Sequence, residues 1–340
     1  MSEQPVQRSP YPFNLMIKPA GPACNLACAY CYYLDKAALL YPGGLSRMDD
    51  TTLECVTAIY LQAHPGPEVV FNWQGGEPLL MGLDFFRRAV ELQRQYARPG
   101  LQISNALQTN ATLIDADWAA FFAEQHFLVG VSIDGPADLH DRYRRDCGKQ
   151  ATHTRVLAGL DALRQAGAEF NALVTVNRAN AEHPLRVYQY LTGLGIEHLQ
   201  FIPIVERVSP EKRAVTPWTV RPEQYGNFLC DIFDYWSTQD VGRVFVQLFE
   251  SALSVWMGGL PSVCVFAPTC GRGLVVEENG DLYACDHFVS PEYRRGGVTP
   301  ETLVSLLDGP EQKAFGLAKG DLSADCRRCP TLRWCGGDCP

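Results

Sequence analysis

The chain has 340 residues, a net charge of −9 and 46% hydrophobic residues. It can bury one large core and a smaller one, and its acidic balance without long Lys/Arg clusters argues against nucleic acid as the main partner. No apolar run reaches the ~20 residues of a membrane span, and MSEQPVQRSPYPFN lacks the apolar heart of a signal peptide, so the expected location is cytoplasmic, with no membrane partner.

Short β-like runs alternate with amphipathic stretches along the first two thirds. The pattern predicts strands over 13–18, 69–73, 102–108, 128–133, 170–176 and 199–204, several of them rich in Val and Ile as strands covered on both faces are. Helices are expected over 51–63, 84–96, 116–125, 154–166 and 184–194, with Asp84 as an N-cap and Gly167 as a C-cap residue. Six βα units in succession predict an α/β fold with a parallel sheet or partial barrel and right-handed crossovers. After about Glu206 the pattern breaks. A polar stretch over 209–222 precedes a helix over 223–237, and loop-rich sequence follows, with a hairpin over 274–285 turned by Asn279-Gly280. The expected division is 1–207, 208–262 and 263–340. The last part reads as too loop-rich to cohere by an apolar core alone, so metal clusters are expected to constrain it.

Thirteen cysteines are many for a reducing compartment, where clustered thiols more often bind metal than form disulfides. Cys55, Cys147 and Cys230 stand alone and read as small hydrophobes. Cys24, Cys28 and Cys31 follow the first strand at CxxxCxxC spacing, which suits three corners of a [4Fe–4S] cube and leaves one iron open. Zinc or three buried thiols are the alternatives; zinc would want four ligands, and the nearest histidine is His64. Gln74-Gly75-Gly76-Glu77-Pro78 ends the second strand, where α/β barrels gather their sites and where adjacent glycines admit a ligand close to the backbone. Other strand ends, Gln108-Thr109-Asn110, Ser132-Ile133-Asp134-Gly135 and Asn177, are polar in the same way. Arg142, Arg144 and Arg145 read equally as a solvated basic patch. The remaining seven cysteines, Cys264, Cys270, Cys285, Cys326, Cys329, Cys335 and Cys339, admit a zinc ribbon or iron–sulfur clusters.

CxxxCxxC with an aromatic before the last Cys resembles the signature of the radical SAM superfamily, whose fold is a partial (β/α)6 TIM-type barrel. That resemblance, rather than the spacing, implies S-adenosyl-L-methionine (SAM). It places Gln74, Gly75, Gly76 and Glu77 at the SAM amino group, Ser132 at its ribose, Arg144 at its carboxylate and Tyr30, Ile204 and Val205 at its adenine, with Gln108 and Asn110 among the contacts. The order C-x9-G-x4-C…C-x2-C-x5-C-x3-C resembles the cysteine-rich SPASM domain. By resemblance, Cys264, Cys270, Cys285 and Cys339 ligate auxiliary cluster I, and Cys326, Cys329 and Cys335 ligate auxiliary cluster II, three [4Fe–4S] clusters in all. The family has a further cysteine downstream of Pro340, which suggests that the chain is truncated or cluster II incomplete.

Ile17-Lys18-Pro19, Cys31-Tyr32-Tyr33-Leu34, Phe201-Ile202-Pro203, Tyr283-Ala284-Cys285-Asp286-His287 and Trp334-Cys335-Gly336-Gly337-Asp338-Cys339 resemble the anaerobic sulfatase-maturating enzymes; Ala111 departs from an expected Gly. These oxidoreductases convert a Cys or Ser of a sulfatase, within a Cys/Ser-x-Pro-x-Arg-like motif, to Cα-formylglycine. The resemblance implies hydrogen abstraction from the substrate Cβ by a 5′-deoxyadenosyl radical, with electrons from a donor such as flavodoxin or ferredoxin. Asp286, next to Cys285, is the expected base for the thiol or hydroxyl proton, with help from Tyr33; the alternative is that its carboxylate only supports a cluster ligand by hydrogen bonding. A thioether-forming or other SPASM peptide maturase is the nearest alternative function, and a non-catalytic metal-binding adaptor is a remoter one.

Overall fold

The structure, a computed structural model, describes residues 7–34, 47–208, 214–337 and 339. Residues 209–213 of the expected polar stretch, and Asp338, lie outside that range. Ten strands are described: β1 Asn14–Lys18, β2 Glu68–Trp73, β3 Gln102–Thr109, β4 Phe127–Ser132, β5 Glu169–Val176, β6 His198–Pro203, β7 Phe245–Val246, β8 Gly273–Glu277, β9 Asp281–Tyr283 and β10 Arg294–Gly297. The first six lie within one residue of their expected bounds. The chain divides into two units, one made of 1–24, 35–107 and 251–340, the other of 25–34 and 108–250.

In the first unit the strand order is β10-β9-β8-β1-β2-β3. Parallel pairing sets Leu15 of β1 opposite Phe71 of β2 and Leu274 of β8. All three side chains are buried, as strands covered on both faces require. Helices Asp50–Ala63 and Leu83–Tyr96 pack on each other. The first is capped by Asp49, whose carboxylate accepts from the Thr52 amide at 2.7 Å. The second corrects an expectation: its N-cap is Gly82, not Asp84. Asp84 lies inside the first turn, near the positive end of the helix dipole, and pairs with Arg87 at 2.9 Å.

The Asn279-Gly280 turn joins β8 and β9 antiparallel as expected, with Gly280 at φ +84°. β8 also lies parallel to β1 over five residues, so the cysteine-rich region is stitched to the first strand. Leu274, Val275, Val276, Leu282, Val289, Leu303, Val304 and Leu307 are all buried there. The region thus has an apolar core, though not one built from its own segment alone. Its apolar residues are scattered along the sequence and meet only because β1 supplies the missing edge.

In the second unit β4, β5, β6 and β7 run parallel in that order. Two-residue β7 was too short to read from pattern. Helices Ala116–Glu124 and His153–Ala166 pack together, as do Pro184–Gly193 and Pro222–Gln239. Gly167 ends its helix at φ +72°, as expected. A Cβ on Gly159 would lie 2.3 Å from the Ala111 carbonyl oxygen, so only glycine lets that helix approach so closely. Ala111 itself sits at φ +59°, a conformation glycine adopts without strain, which accounts for the Gly expected there.

Candidate active site

Within the first unit, the glycine turn after β2 is knitted to the chain leading into the cysteines. Gly76 N–H donates to Gly21 O at 2.7 Å and Glu77 N–H to Ala23 O at 2.8 Å. A Cβ on Gly76 would fall 2.1 Å from Ala23 O. Glycine is therefore demanded here by backbone approach to the cysteine loop. Glu77 is fully buried, and its Oε1 accepts from Leu79 N–H at 3.0 Å. Gln74 and Gly75 are half-buried beside it.

The second unit holds Cys28 and Cys31 through main-chain bonds: Ala27 N–H to Arg145 O at 2.8 Å, Ala29 N–H to Tyr143 O at 3.0 Å and Cys31 N–H to Cys28 O at 3.0 Å. Asn110 donates to Asn25 Oδ1 at 2.8 Å, and Asn25 donates to Thr112 Oγ1 at 2.9 Å, so the polar end of β3 grips the residue after Cys24. Behind the loop lies Asp134, fully buried. It accepts the Tyr30 hydroxyl, ion-pairs with Arg144 Nε at 3.0 Å and accepts Thr175 N–H at 3.0 Å. Arg144 also donates to Thr175 Oγ1 at 2.9 Å and lies 5.5 Å from the Tyr30 ring centre. Its neighbours Arg142 and Arg145 are exposed, so the basic-patch reading holds for them and not for Arg144.

Burial pushes the Cys28 thiol up to about 11 and raises Cys31, with Arg144 pulling both back. Burial likewise lifts Tyr30 well above the usual phenol range and, with the charge of Arg144, drives His140 down to about 3. A neutral His140 fits its partners. Nδ1 accepts Asp134 N–H at 3.3 Å, so Nε2 carries the proton toward Thr152 Oγ1 at 3.0 Å, and Thr152 donates to Arg144 O at 2.8 Å.

Gln108 Nε2 donates to Ser132 Oγ at 3.0 Å. Ile204 is buried, its N–H on Val176 O at 2.9 Å, whereas Val205 is exposed. Tyr33 is buried against Tyr32, ring centres 4.8 Å apart.

Within the first unit, Asp286 follows Cys285 at the end of the hairpin and pairs with Lys18 of β1. The Lys18 side chain is wholly buried and that of Asp286 is 20% exposed. Burial pushes the Cys285 thiol up to about 11; the His287 N–H opposes this, while the charges of Asp286, Cys339 and Cys264 add to it. Cys270 is raised by burial, with Lys319 pulling it down and Cys264 up. Cys285 thus lies within electrostatic reach of Cys264 and Cys339, and Cys270 within reach of Cys264. Gly336, at φ +68°, brings the chain after Cys335 onto the Cys264–Phe266 turn: a Cβ there would lie 2.5 Å from Phe266 O. Cys326 lies within helix Ala324–Arg328 and Cys329 is its C-cap, while Ser323 caps the other end by accepting Cys326 N–H at 3.2 Å. Hydrogen bonding from Thr331, on the next turn, lowers the Cys329 thiol. No disulfide joins any of the described cysteines.

Two buried groups carried no role in the sequence reading. Asp134 was visible as part of a polar strand end, and Lys18 as the end of the first strand and the middle of Ile17-Lys18-Pro19, neither with a role of its own. A charged residue where a covered strand should be apolar was the available signal for Lys18.

A family model described as the radical SAM superfamily matches residues 19–191, and one described as an iron–sulfur cluster-binding domain (SPASM) matches 264–330. A serine-type anaerobic sulfatase-maturating enzyme of Bacteroides thetaiotaomicron is 43% identical over 97% of this chain and 83% of its own length. The chain belongs to the radical SAM superfamily, among its anaerobic sulfatase-maturating enzymes. A cysteine-type member from Clostridium perfringens is 34% identical over 96% of this chain and 89% of its own. The solved structure of native anSMEcpe with bound AdoMet and Kp18Cys peptide superposes with a TM-score of 0.89 at 34% identity, covering 97% of this chain and 89% of that one. Streptococcus suis SuiB, at 14% identity and a TM-score of 0.64, covering 97% and 73%, shares the fold alone. The family carries iron–sulfur clusters and SAM, and thiolate is the donor such clusters take, while no three ligating side chains among the described residues are already gathered to hold a metal ion. No disulfide ties up the described thiols, and Cys28 and Cys31 sit in a backbone-held turn. No helix among the described residues is long and apolar enough to cross a membrane.

Proposed function

We propose that the chain is a radical SAM peptide oxidase that converts a Cys or Ser of a sulfatase to Cα-formylglycine. The observation that carries this reading is 43% identity across 97% of the chain to a serine-type sulfatase-maturating enzyme. The proposed division remains 1–207, 208–262 and 263–340, and the proposed location is the cytoplasm. Cys24, Cys28 and Cys31 would hold the SAM cluster; Cys264, Cys270, Cys285 and Cys339 the first auxiliary cluster; Cys326, Cys329 and Cys335 the second. SAM contacts are assigned to Tyr30, Gln74, Gly75, Gly76, Glu77, Gln108, Asn110, Ser132, Arg144, Ile204 and Val205. When bound, SAM on its cluster would supply a hydrogen-abstracting radical, and the auxiliary clusters would provide a place for the electron left over.

The chain's own part is to place and deprotonate the substrate. Asp286 is the proposed base for the thiol or hydroxyl proton. Its pairing with buried Lys18 supports this role. The Lys18 ammonium fixes the orientation of the carboxylate in a low-dielectric surround. Tyr33 is assigned a supporting hydrogen bond. The proposed substrate core is Cys/Ser-x-Pro-x-Arg, and the proposed electron donor is a flavodoxin or ferredoxin.

The test is an anaerobic assay of the reconstituted chain with SAM, reductant and a peptide bearing that core, read by mass spectrometry. Formylglycine should appear in step with 5′-deoxyadenosine. Release of 5′-deoxyadenosine with no aldehyde on either the Cys or the Ser peptide would sink the substrate assignment and favour a different peptide maturase.

A further inference from the structure

The cysteines assigned to the first auxiliary cluster come from separate segments, and one helix with its C-cap residue bonds to the backbone at or next to all but the last. Helix Pro310–Ala318 contributes no cysteine and ends at Lys319. Gln312, 1% exposed, donates from Nε2 to Gly271 O at 3.1 Å and to Ala284 O at 2.9 Å. Those carbonyls belong to the residue after Cys270 and the residue before Cys285. Arg295 Nε donates to Gln312 Oε1 at 2.9 Å, which fixes the amide so that its nitrogen faces the two carbonyls. Gly316 O accepts Cys270 N–H at 3.2 Å, and a Cβ on Gly316 would lie 2.3 Å from Cys270 O. Lys319, 3% exposed, donates to Cys264 O at 2.6 Å and Val265 O at 2.9 Å.

Buried amides and ammonium groups are costly unless bonded, and these two are bonded to the backbone of ligand-bearing loops. Neither belongs to a cysteine motif. We propose that Gln312 and Lys319 are positioning residues of the first auxiliary cluster: together they hold Cys264, Cys270 and Cys285 in register before iron arrives, and the Lys319 ammonium raises the cluster's reduction potential. The inference rests on the ligand assignment above. Reduction adds negative charge to a cluster, so a buried cation beside its ligands favours the reduced form, and cluster potentials respond to such nearby charge and hydrogen bonding.

The experiment uses the full chain with Cys24, Cys28 and Cys31 all changed to Ala, so that only auxiliary iron is loaded. After anaerobic reconstitution, iron and sulfide are counted and a redox titration is followed by electron paramagnetic resonance. Cys285→Ala identifies the signal of the first auxiliary cluster by removing it; if Cys264→Ala and Cys285→Ala keep full iron, the ligand assignment fails, whatever Lys319 does. Lys319→Met should lower the potential of that signal by at least a tenfold change in reduced fraction, about 59 mV for one electron. Lys319→Arg, which keeps the charge, should restore it. Loss of auxiliary iron with Met but not with Arg supports the proposal equally. An unshifted potential with full iron in Lys319→Met, or equal iron loss in Met and Arg, overturns the role of the charge. Gln312→Leu should load less auxiliary iron and sulfide, and unchanged loading overturns the clamp.

Discussion

The two cysteine regions are held in opposite ways. Cys28 and Cys31 lie half-buried in one short loop whose backbone bonds to 143–145 and to itself. The cysteines from 264 onward are spread over three segments, and Cys264, Cys329, Cys335 and Cys339 are exposed. Side chains distant in sequence gather them, chiefly Gln312 and Lys319. A site built from neighbours in the chain has its geometry fixed by spacing and local turns. A site built from separated segments depends on whatever carries those segments.

The sharpest way to break this comparison is to remove one thiol from each region. Cys28→Ala should abolish SAM cleavage and lose only the iron of its own cluster. Cys285→Ala should lose auxiliary iron and formylglycine while 5′-deoxyadenosine is still released. Iron analysis with product counts checks both, and loss of SAM cleavage in Cys285→Ala would show that the regions are not chemically separable.

Asp286→Asn should cut formylglycine formation by about 10²–10⁴-fold, the usual contribution of a positioned base. Iron content should stay unchanged and 5′-deoxyadenosine should continue to form. A matching fall in iron would instead make Asp286 a support of Cys285, the alternative raised by its sequence position.

Lys18→Met tests the same corner through stability. It leaves the Asp286 carboxylate, 20% exposed, without its cation. Breaking a buried pair from one side costs roughly 3 kcal/mol, and the Lys18→Met, Asp286→Asn double variant should recover most of it. Urea denaturation of the four chains measures the coupling, and strict additivity would remove the pair from the account.

These residues also mark how far the sequence could be read. The first six strands and the cysteine loop were legible because covered strands, glycine turns and CxxxCxxC are written in adjacent residues. The core of the cysteine-rich region was not, because Leu274 and Val276 become interior only when β8 lies along β1. Asp286 was legible from its place beside Cys285, but its partner Lys18 stands 268 positions away. Gln312 and Lys319 carried no signal at all, since a lone Gln and a lone Lys in an amphipathic stretch read as solvated surface.

The smallest expected effect concerns the frame behind the first loop. His140 sits at about 3 in the folded chain, against 6.5 when unperturbed, because burial disfavours its charged form and Arg144 adds to this. The unfolded chain therefore takes up a proton as pH falls through 6.5, while the folded chain does not until about 3. Protons bound by the unfolded state pull the equilibrium toward it, so this residue makes stability fall with pH across that window, by about 1 kcal/mol per unit. His153, lowered by burial as well, adds in the same direction. His140→Gln should flatten the profile between pH 7 and pH 5 relative to the parent, though it starts lower for want of the bond to Thr152. Parallel profiles for the two chains would mean that His140 carries its proton in the folded state, which its acceptance of the Asp134 amide would then have to forgo.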